Sequence, residues 1–128
     1  MAKGGFDFKQ YEQFVKNLGD ADKDFELFLT DFLVEMAQRV LAKVRPRTPV
    51  DTGSLRASWS IIEVTNDTIT IGSPMEYASF VEYGHTLRNG VWKDGRFMLT
   101  LSIEEVQKEI PKRFEKSFQQ FMKGKGIG

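Results

Sequence analysis

Apolar residues recur at spacings of three and four along the first half of the chain, which is the pattern of an amphipathic helix. The pattern is longest and most regular between Phe25 and Val44. It predicts a long helix that begins near Asp20 or Asp22, because acidic side chains favour a helix N-terminus. The helix should end before Pro46, since proline disfavours helical geometry in the residue that precedes it.

A shorter stretch with the same spacing precedes this helix. It runs from Phe6 to Leu18 and predicts a first helix, ended by Gly19.

The same spacing returns near the C-terminus, from Leu99 to Phe121, and predicts a last helix that reaches about Lys123. Ser102 and Glu105 have the spacing of a capping box inside this stretch. Pro111 lies within it, and an internal proline costs about 3 kcal/mol in a straight helix. We therefore expect a kink there.

The middle of the chain changes to strand patterns. Ala57 to Val64 is rich in β-branched and aromatic residues, and Thr68 to Ile71 alternates threonine with isoleucine. Asn66-Asp67 between these segments predicts a tight hairpin.

Two turn patterns follow the hairpin. Ser73-Pro74-Met75-Glu76 combines a cap residue, a proline and a glutamate, and predicts a short helix that Gly84 ends. Asn89-Gly90, flanked by Thr86-Leu87 and Val91-Trp92, predicts a type I′ hairpin tip and hence a projecting β-arm.

These elements predict an α+β fold: a small antiparallel sheet, formed by a hairpin plus the projecting β-arm, packed by a long N-terminal helix and a kinked C-terminal helix. The 128 residues are expected to form a single domain. Residues 124–128 are rich in glycine, and we expect this tail to be disordered.

Composition argues against most catalytic classes. The chain has no cysteine and a single histidine, His85, and it lacks a nucleophile elbow and a phosphate-binding glycine loop. We therefore expect no catalytic residues, no cofactor and no metal. No apolar run approaches the roughly 18 residues that span a bilayer, and no signal peptide is evident.

The charges balance overall but are unevenly distributed. Residues 1–38 carry four lysines against eight acidic residues, whereas residues 39–60 carry five basic residues against one acidic residue. The basic residues are Arg39, Lys43, Arg45, Arg47 and Arg56. A solvated helix end explains such a group, and a small nucleic-acid-binding module that uses the basic 39–56 region is the alternative.

The apolar faces predict a further property. Eleven phenylalanines fall mostly on helical faces, and we expect most of them in the core. A hairpin and three amphipathic helices nevertheless present more apolar surface than one small domain is expected to cover, which favours an oligomer or a docking surface. The predicted interface residues lie in the basic group, on the arm and beyond Pro111: Arg45, Arg47, Arg56, Asn89, Gly90, Val91, Trp92, Phe118, Phe121 and Met122.

Three blocks of residues, in order, resemble one known family. They are Thr48–Trp59 after the long helix, Tyr77–His85 after the hairpin, and Gly95–Leu99 at the start of the last helix. The chain is similar to the phage tail-component family, the tail-completion or head-tail neck proteins of tailed bacteriophages and prophages.

This resemblance implies a non-enzymatic virion protein that assembles into a ring at the neck. Its implied partners are further copies of itself and neighbouring neck or tail proteins, with DNA only as cargo in the channel and no membrane or small-molecule substrate. It is expected in the virion, and in the cytoplasm of the bacterial host during assembly.

The motif residues are consistent with a structural role. Pro49 fixes the chain after the helix, Asp51 and Thr52 can bond the turn backbone, and Gly53 permits a positive φ. The other motif residues are expected to anchor the first strand or to hold the short helix against the sheet: Leu55, Trp59, Tyr77, Ala78, Val81 and Gly84.

Overall fold

The computed structural model describes residues 2–17, 23–49, 53–124 and 126. Its elements confirm the predicted α+β fold. In chain order they are β1 (Ala2–Asp7), α1 (Lys9–Asn17), α2 (Lys23–Arg47), α3 (Gly53–Ser58), β2 (Ser60–Val64), β3 (Thr68–Ser73), α4 (Ala78–Tyr83), β4 (Gly84–Thr86), β5 (Trp92–Asp94) and α5 (Met98–Gly124).

Three strands form an antiparallel sheet in the order β1-β3-β2. Phe6 of β1 pairs with Ile69 of β3, and Ile61 of β2 pairs with Ile71. A bulge between Ile61 and Glu63 interrupts the β2 edge. Ile69 and Ile71 are buried, because alternate side chains of the central strand point to the face that the helices cover.

The two long helices cover this sheet and pack against each other in opposite directions. Near the start of α2, Phe28 lies 4.8 Å from Phe121 near the end of α5, between ring centroids. At the other end of α2, Arg47 donates a hydrogen bond to the hydroxyl of Ser102 in the first turns of α5. The predicted stripe of α2 supplies much of the core, including Leu33 and Val40.

The prediction for the N-terminus was partly wrong. Phe6 lies in β1, and the first helix begins at Lys9, whose amide donates to the Asp7 side chain at 2.9 Å. The strand forms because it pairs with β3 along its whole length. Gly5 allows this pairing, since a Cβ there would overlap the carbonyl of Ile69. The predicted boundary residues Leu18, Gly19, Asp20 and Asp22 lie outside the described residues.

The predicted end of the long helix was also wrong, because α2 includes Pro46 and ends at Arg47. The Thr48 amide donates to the carbonyls of Val44 and Arg45, both at 3.1 Å. These bonds close the last turn around a proline that has no amide proton of its own.

The hairpin of β2 and β3 is confirmed, with corrected limits. Ala57 and Ser58 were assigned to the first strand but end α3, a short helix that the sequence pattern did not indicate. The second strand extends two residues beyond Ile71 to Ser73.

The short helix after the hairpin exists and ends at Gly84, which has a φ of 94°. It begins at Ala78 and not at Pro74, because Ser73 is still part of β3 and its hydroxyl accepts the Met75 amide at 3.2 Å. The predicted start of this helix, with Ser73 as its cap, was therefore wrong.

The projecting arm is confirmed as the β4–β5 hairpin, but its turn type was wrong. A type I′ turn needs a positive φ at both central residues. Gly90 has a φ of 84°, while Asn89 lies outside the positive-φ region. The Gly90 amide donates to Leu87, and the Leu87 amide donates to Val91. This is a three-residue loop with glycine in the left-handed position.

The last helix runs continuously through Pro111, and the kink stays a prediction. Ser102 does not cap the helix, which begins at Met98; its hydroxyl donates to the Met98 carbonyl at 2.6 Å. Gly124 is the last residue of the helix. Lys125, Ile127 and Gly128 of the predicted disordered tail lie outside the described residues.

Candidate assembly surface

The junction between α2 and the sheet is organised around Thr48, which is buried. Its hydroxyl donates to the Val44 carbonyl at 2.8 Å and accepts the Trp59 indole N–H at 2.8 Å. Its carbonyl accepts Nε and Nη2 of Arg56, at 3.2 and 2.6 Å. Arg45 donates to the Trp59 carbonyl at 3.1 Å. The first motif therefore holds the helix end, α3 and β2 in one arrangement.

The other residues of this motif are placed as follows. Leu55 is fully buried on α3, and Pro49 is half-buried after the helix. Gly53 opens α3 without a positive φ, so that expectation was wrong. Asp51 and Thr52 lie outside the described residues, and their turn role stays a prediction.

The second motif surrounds a fully buried carboxylate, Glu82. Oε1 accepts the Leu99 amide at 2.9 Å, and Oε2 accepts the Thr100 amide at 2.8 Å and its hydroxyl at 2.7 Å. These are N–H groups in the first turn of α5, which has no earlier turn to accept them. The negative charge also lies at the positive end of the helix dipole. Glu82 thus caps α5 from another helix.

The remaining residues of the second motif fix the segment that leads into α5. Ala78 is fully buried, and the Tyr77 hydroxyl contacts the Met75 sulfur at 3.4 Å. The Val81 carbonyl accepts the Arg96 amide at 2.8 Å. Gly84 must be small, because a Cβ there would lie 2.7 Å from the Trp92 ring.

The β4–β5 arm presents apolar side chains to solvent. Val91 is 56% exposed and Trp92 is 57% exposed. The Trp92 indole donates to Asp94 at 3.0 Å, and the Asn89 side chain accepts the Val91 amide at 3.0 Å. Gly90 has open space around it. The four arm residues predicted as an interface are therefore held in a defined, solvent-facing hairpin.

Exposed apolar residues continue beyond the arm, and the sequence pattern did not single them out. Four of them lie on the two segments that flank it, which are Phe80, Tyr83, Phe97 and Leu101. A fifth, Leu87, lies within the arm next to its turn. Their spacing resembles that of core residues, so only the structure distinguishes them from buried positions. We call the exposed apolar side chains between residues 80 and 101 the arm surface.

The basic group has partners within the chain. Lys43 and Arg47 both form ion pairs with Glu105, the first at 3.2 Å, and Arg39 pairs with Glu35 at 3.1 Å. Hydrogen bonds from Arg47 and Lys43 hold the pKa of Glu105 below its ordinary value. Arg45 and Arg56 bind backbone carbonyls, as described above. The group thus serves internal contacts first, and an intersubunit role for Arg45, Arg47 and Arg56 stays a prediction.

The three residues predicted beyond Pro111 lie on the last turns of α5. Phe118, Phe121 and Met122 are half-buried and pack against the core. Phe121 lies 5.1 Å from Phe25 between ring centroids. Much of this apolar surface is thus covered by α2, and burial between subunits stays a prediction.

His85 lies in a small recess of about 100 Å³ beside the arm, together with Asp94. Its Nδ1 is buried without a hydrogen-bond partner, while Asp94 accepts the Trp92 indole. Phe80 lies 5.3 Å from the imidazole between ring centroids. The recess therefore brings a histidine and a carboxylate to one place without joining them by a hydrogen bond.

Metal sites and membrane spans can be considered for the described residues. No group of three or more potential metal-ligating side chains occurs among them. Within the same ranges, no helix has both the length and the apolar character required to cross a bilayer.

Comparison with known protein families identifies the family of the chain. Residues 12–84 match the family described as "Bacteriophage HK97-gp10, putative tail-component". The matched segment includes the Thr48–Trp59 junction and ends at Gly84, where the arm begins. No curated protein and no solved structure matches the chain significantly. Because the match covers more than half of the 128 residues, the chain belongs to the HK97-gp10-like family of bacteriophage tail components, and is a phage structural protein of the virion.

Proposed function

We propose that this protein completes the phage tail by assembling into a ring at the neck, where the head and the tail join. The ring binds neighbouring neck or tail proteins, and DNA passes through its channel as cargo. The protein acts by self-association and docking and not by catalysis.

The observation that carries the proposal is the arm surface. Exposed apolar side chains as large as Trp92 are costly to leave in water, and a cluster of them marks a protein interaction site. Membership of a tail-component family supplies the class of partner, which is another tail protein or a further copy of the chain.

The fold supports this proposal by making the arm a rigid projection. Gly95 lies so close to Glu82 that a Cβ would overlap its carbonyl oxygen. The Phe97 amide donates to the same carbonyl at 3.0 Å. The arm is thus joined at its base to the segment that caps α5, and a preorganised surface loses less entropy when it binds.

The experiment is complementation of a phage or prophage in which the gene for this chain is deleted. Without the chain, heads and separate tails should accumulate in electron micrographs, and wild-type protein should restore joined particles. The double variant Val91→Asp with Trp92→Ser should fail to restore them while remaining folded, because both side chains are exposed. Gln107→Asp, on the exposed side of α5, is the matched control.

Two results would overturn the proposal. One is joined, infectious particles in the complete absence of the chain. The other is a tagged, complementing chain that electron microscopy locates away from the neck.

The nucleic-acid-binding alternative has weaker support, because internal ion pairs and carbonyl contacts engage the basic 39–56 region. A salt titration with duplex DNA tests it. Binding that weakens steeply with salt would revive this alternative, and absence of binding at low ionic strength would exclude it.

A further inference from the structure

The large hydrophobic side chains that are exposed in the described part of the chain fall into two groups. Seven of the ten form the arm surface. The other three are Leu27 on α2 and Ile62 and Val64 on β2. The exposed fractions are 59% for Leu27 and 41% for each of the others. The molecule therefore has a second, smaller apolar area away from the arm.

The charges around these two areas have opposite signs. Residues 84–97, which include the arm, carry Arg88, Lys93 and Arg96 against Asp94. Residues 24–34 and 60–73, which carry the second area, have five acidic residues and no lysine or arginine. The acidic residues are Asp24, Glu26, Asp31, Glu63 and Asp67. We call this second area, with Leu27, Ile62 and Val64, the acidic surface.

Part of the acidic surface joins α2 to the link of the β2–β3 hairpin. Glu26, Leu27 and Thr30 line one shallow recess together with Asn66, in the link between β2 and β3. Asp31 follows Leu27 by four residues, which places both on one face of the helix. Each surface thus combines exposed apolar side chains with charged ones. The charge is mainly basic around the arm surface and acidic on the acidic surface.

The two surfaces lie at opposite ends of α2. At 1.5 Å per residue, the 20 residues from Leu27 to the end of α2 at Arg47 span roughly 30 Å. Pro49 lines the recess beside the arm, with His85 and Lys93, whereas Leu27 adjoins Asn66. One surface therefore cannot cover the other within the same chain.

We propose that the arm surface of one copy docks on the acidic surface of a second copy. Since the two surfaces differ, the contact is heterologous, and its repetition closes into a ring when the rotation permits. The β2 edge contributes through side chains, because its bulge at Ile62 interrupts the regular edge that strand pairing requires. The inference rests on the proposed function and names the surface that the arm would bind.

Cysteine cross-linking tests this contact directly, because the chain has no cysteine of its own. Val91→Cys and Leu27→Cys are purified separately, mixed in equal amounts and joined with a short bis-maleimide. We expect the mixture to give a cross-linked product that is lost, or nearly so, when either variant is treated alone. Lys112→Cys, exposed on α5, replaces each partner in turn as a control and should give no comparable product.

Charge reversal provides a second test. Arg88→Glu should weaken self-association measured by light scattering on the order of three-fold, as expected for an exposed charge contact. Asp31→Lys should act in the same direction, and both changes in one chain should restore association. Lys112→Glu is the control, and should leave association unchanged.

The outcomes separate this inference from the proposed function. Cross-linking mainly between like positions, or no preference over Lys112→Cys, overturns the inference even if the chain assembles at the neck. A chain that shows no cross-linked product at any concentration also overturns it. The proposed function falls only if the complementation experiment fails, whichever cross-links form.

Discussion

The carboxylate of Glu82 lies 2.9 Å from the amide nitrogen of Leu99, and this contact joins two elements that are separated by the whole arm. Glu82 is on α4 before the arm, and Leu99 is in the first turn of α5 after it. The Phe97 backbone, with a φ of 49°, is held in the left-handed region between them. The base of the arm is therefore closed by a buried charge that also caps a helix.

Replacing this carboxylate should destabilise the protein. Glu82→Gln keeps one acceptor oxygen but directs an amide group at backbone donors, and we expect a loss of about 1–3 kcal/mol in the free energy of unfolding. Urea unfolding followed by circular dichroism measures it. Glu104→Gln, on the exposed side of α5, should change stability by less than about 0.5 kcal/mol. Equal stability of the two variants would contradict the capping role.

The Thr48 hydroxyl should matter more than its methyl group. Thr48→Val keeps the shape but leaves the buried Trp59 indole N–H without an acceptor, which costs about 1–3 kcal/mol. Thr48→Ser retains the hydroxyl and should be the more stable of the two variants in thermal unfolding. The opposite order would show that the indole is satisfied in another way.

Glu105 should contribute stability that depends on pH. Hydrogen bonds from Arg47 and then Lys43 lower its pKa in the folded protein. A lowered pKa means that the contribution is present above the unfolded pKa and is lost as pH falls through the folded pKa. Glu105→Gln should therefore be less stable than wild type near pH 7, and equal to it at acidic pH. The side chains are partly exposed, so added salt should also reduce the difference. A difference that is the same at all pH values would contradict this assignment.

Two glycines should respond oppositely to alanine. A Cβ at Gly95 would overlap the Glu82 carbonyl, which is backbone and cannot move aside, so Gly95→Ala should destabilise the protein and loosen the arm. Gly53 has no neighbour within 4 Å of an added Cβ and begins a helix, so Gly53→Ala should be neutral or stabilising by up to about 1 kcal/mol. Melting temperatures of the two variants test this. A loss of stability in Gly53→Ala would show that Gly53 has a backbone conformation that alanine does not adopt without strain.

Local pattern was sufficient to predict the long helices and the β2–β3 hairpin. The apolar stripes of α2 and α5 are long, and Asn66-Asp67 stands between two strand-like runs. It was not sufficient for β1, whose sequence Ala2–Asp7 contains two glycines and no β-branched residue. That strand exists because β3 pairs with it, and the paired residues are more than sixty positions apart along the chain.

The candidate surface was predictable only in part. Asn89-Gly90 indicates a hairpin, and the arm follows from it. The capping role of Glu82 could not be inferred, because its partner amides are 17 and 18 residues away and a glutamate in this position resembles a solvated one. The exposure of Phe80 and Phe97 could not be predicted from the sequence either, because an apolar residue is assigned to the core unless the neighbouring element is known.

The chain is proposed to work by assembling through its arm. Light scattering coupled to size-exclusion chromatography, over a range of concentrations, measures this assembly for wild type and for the double variant Val91→Asp with Trp92→Ser. We expect a discrete, ring-sized oligomer whose population rises with concentration in wild type, and a folded monomer in the variant. A wild-type chain that remains monomeric at every concentration would point to assembly that depends on a partner protein. A variant that assembles as well as wild type would contradict assembly through the arm.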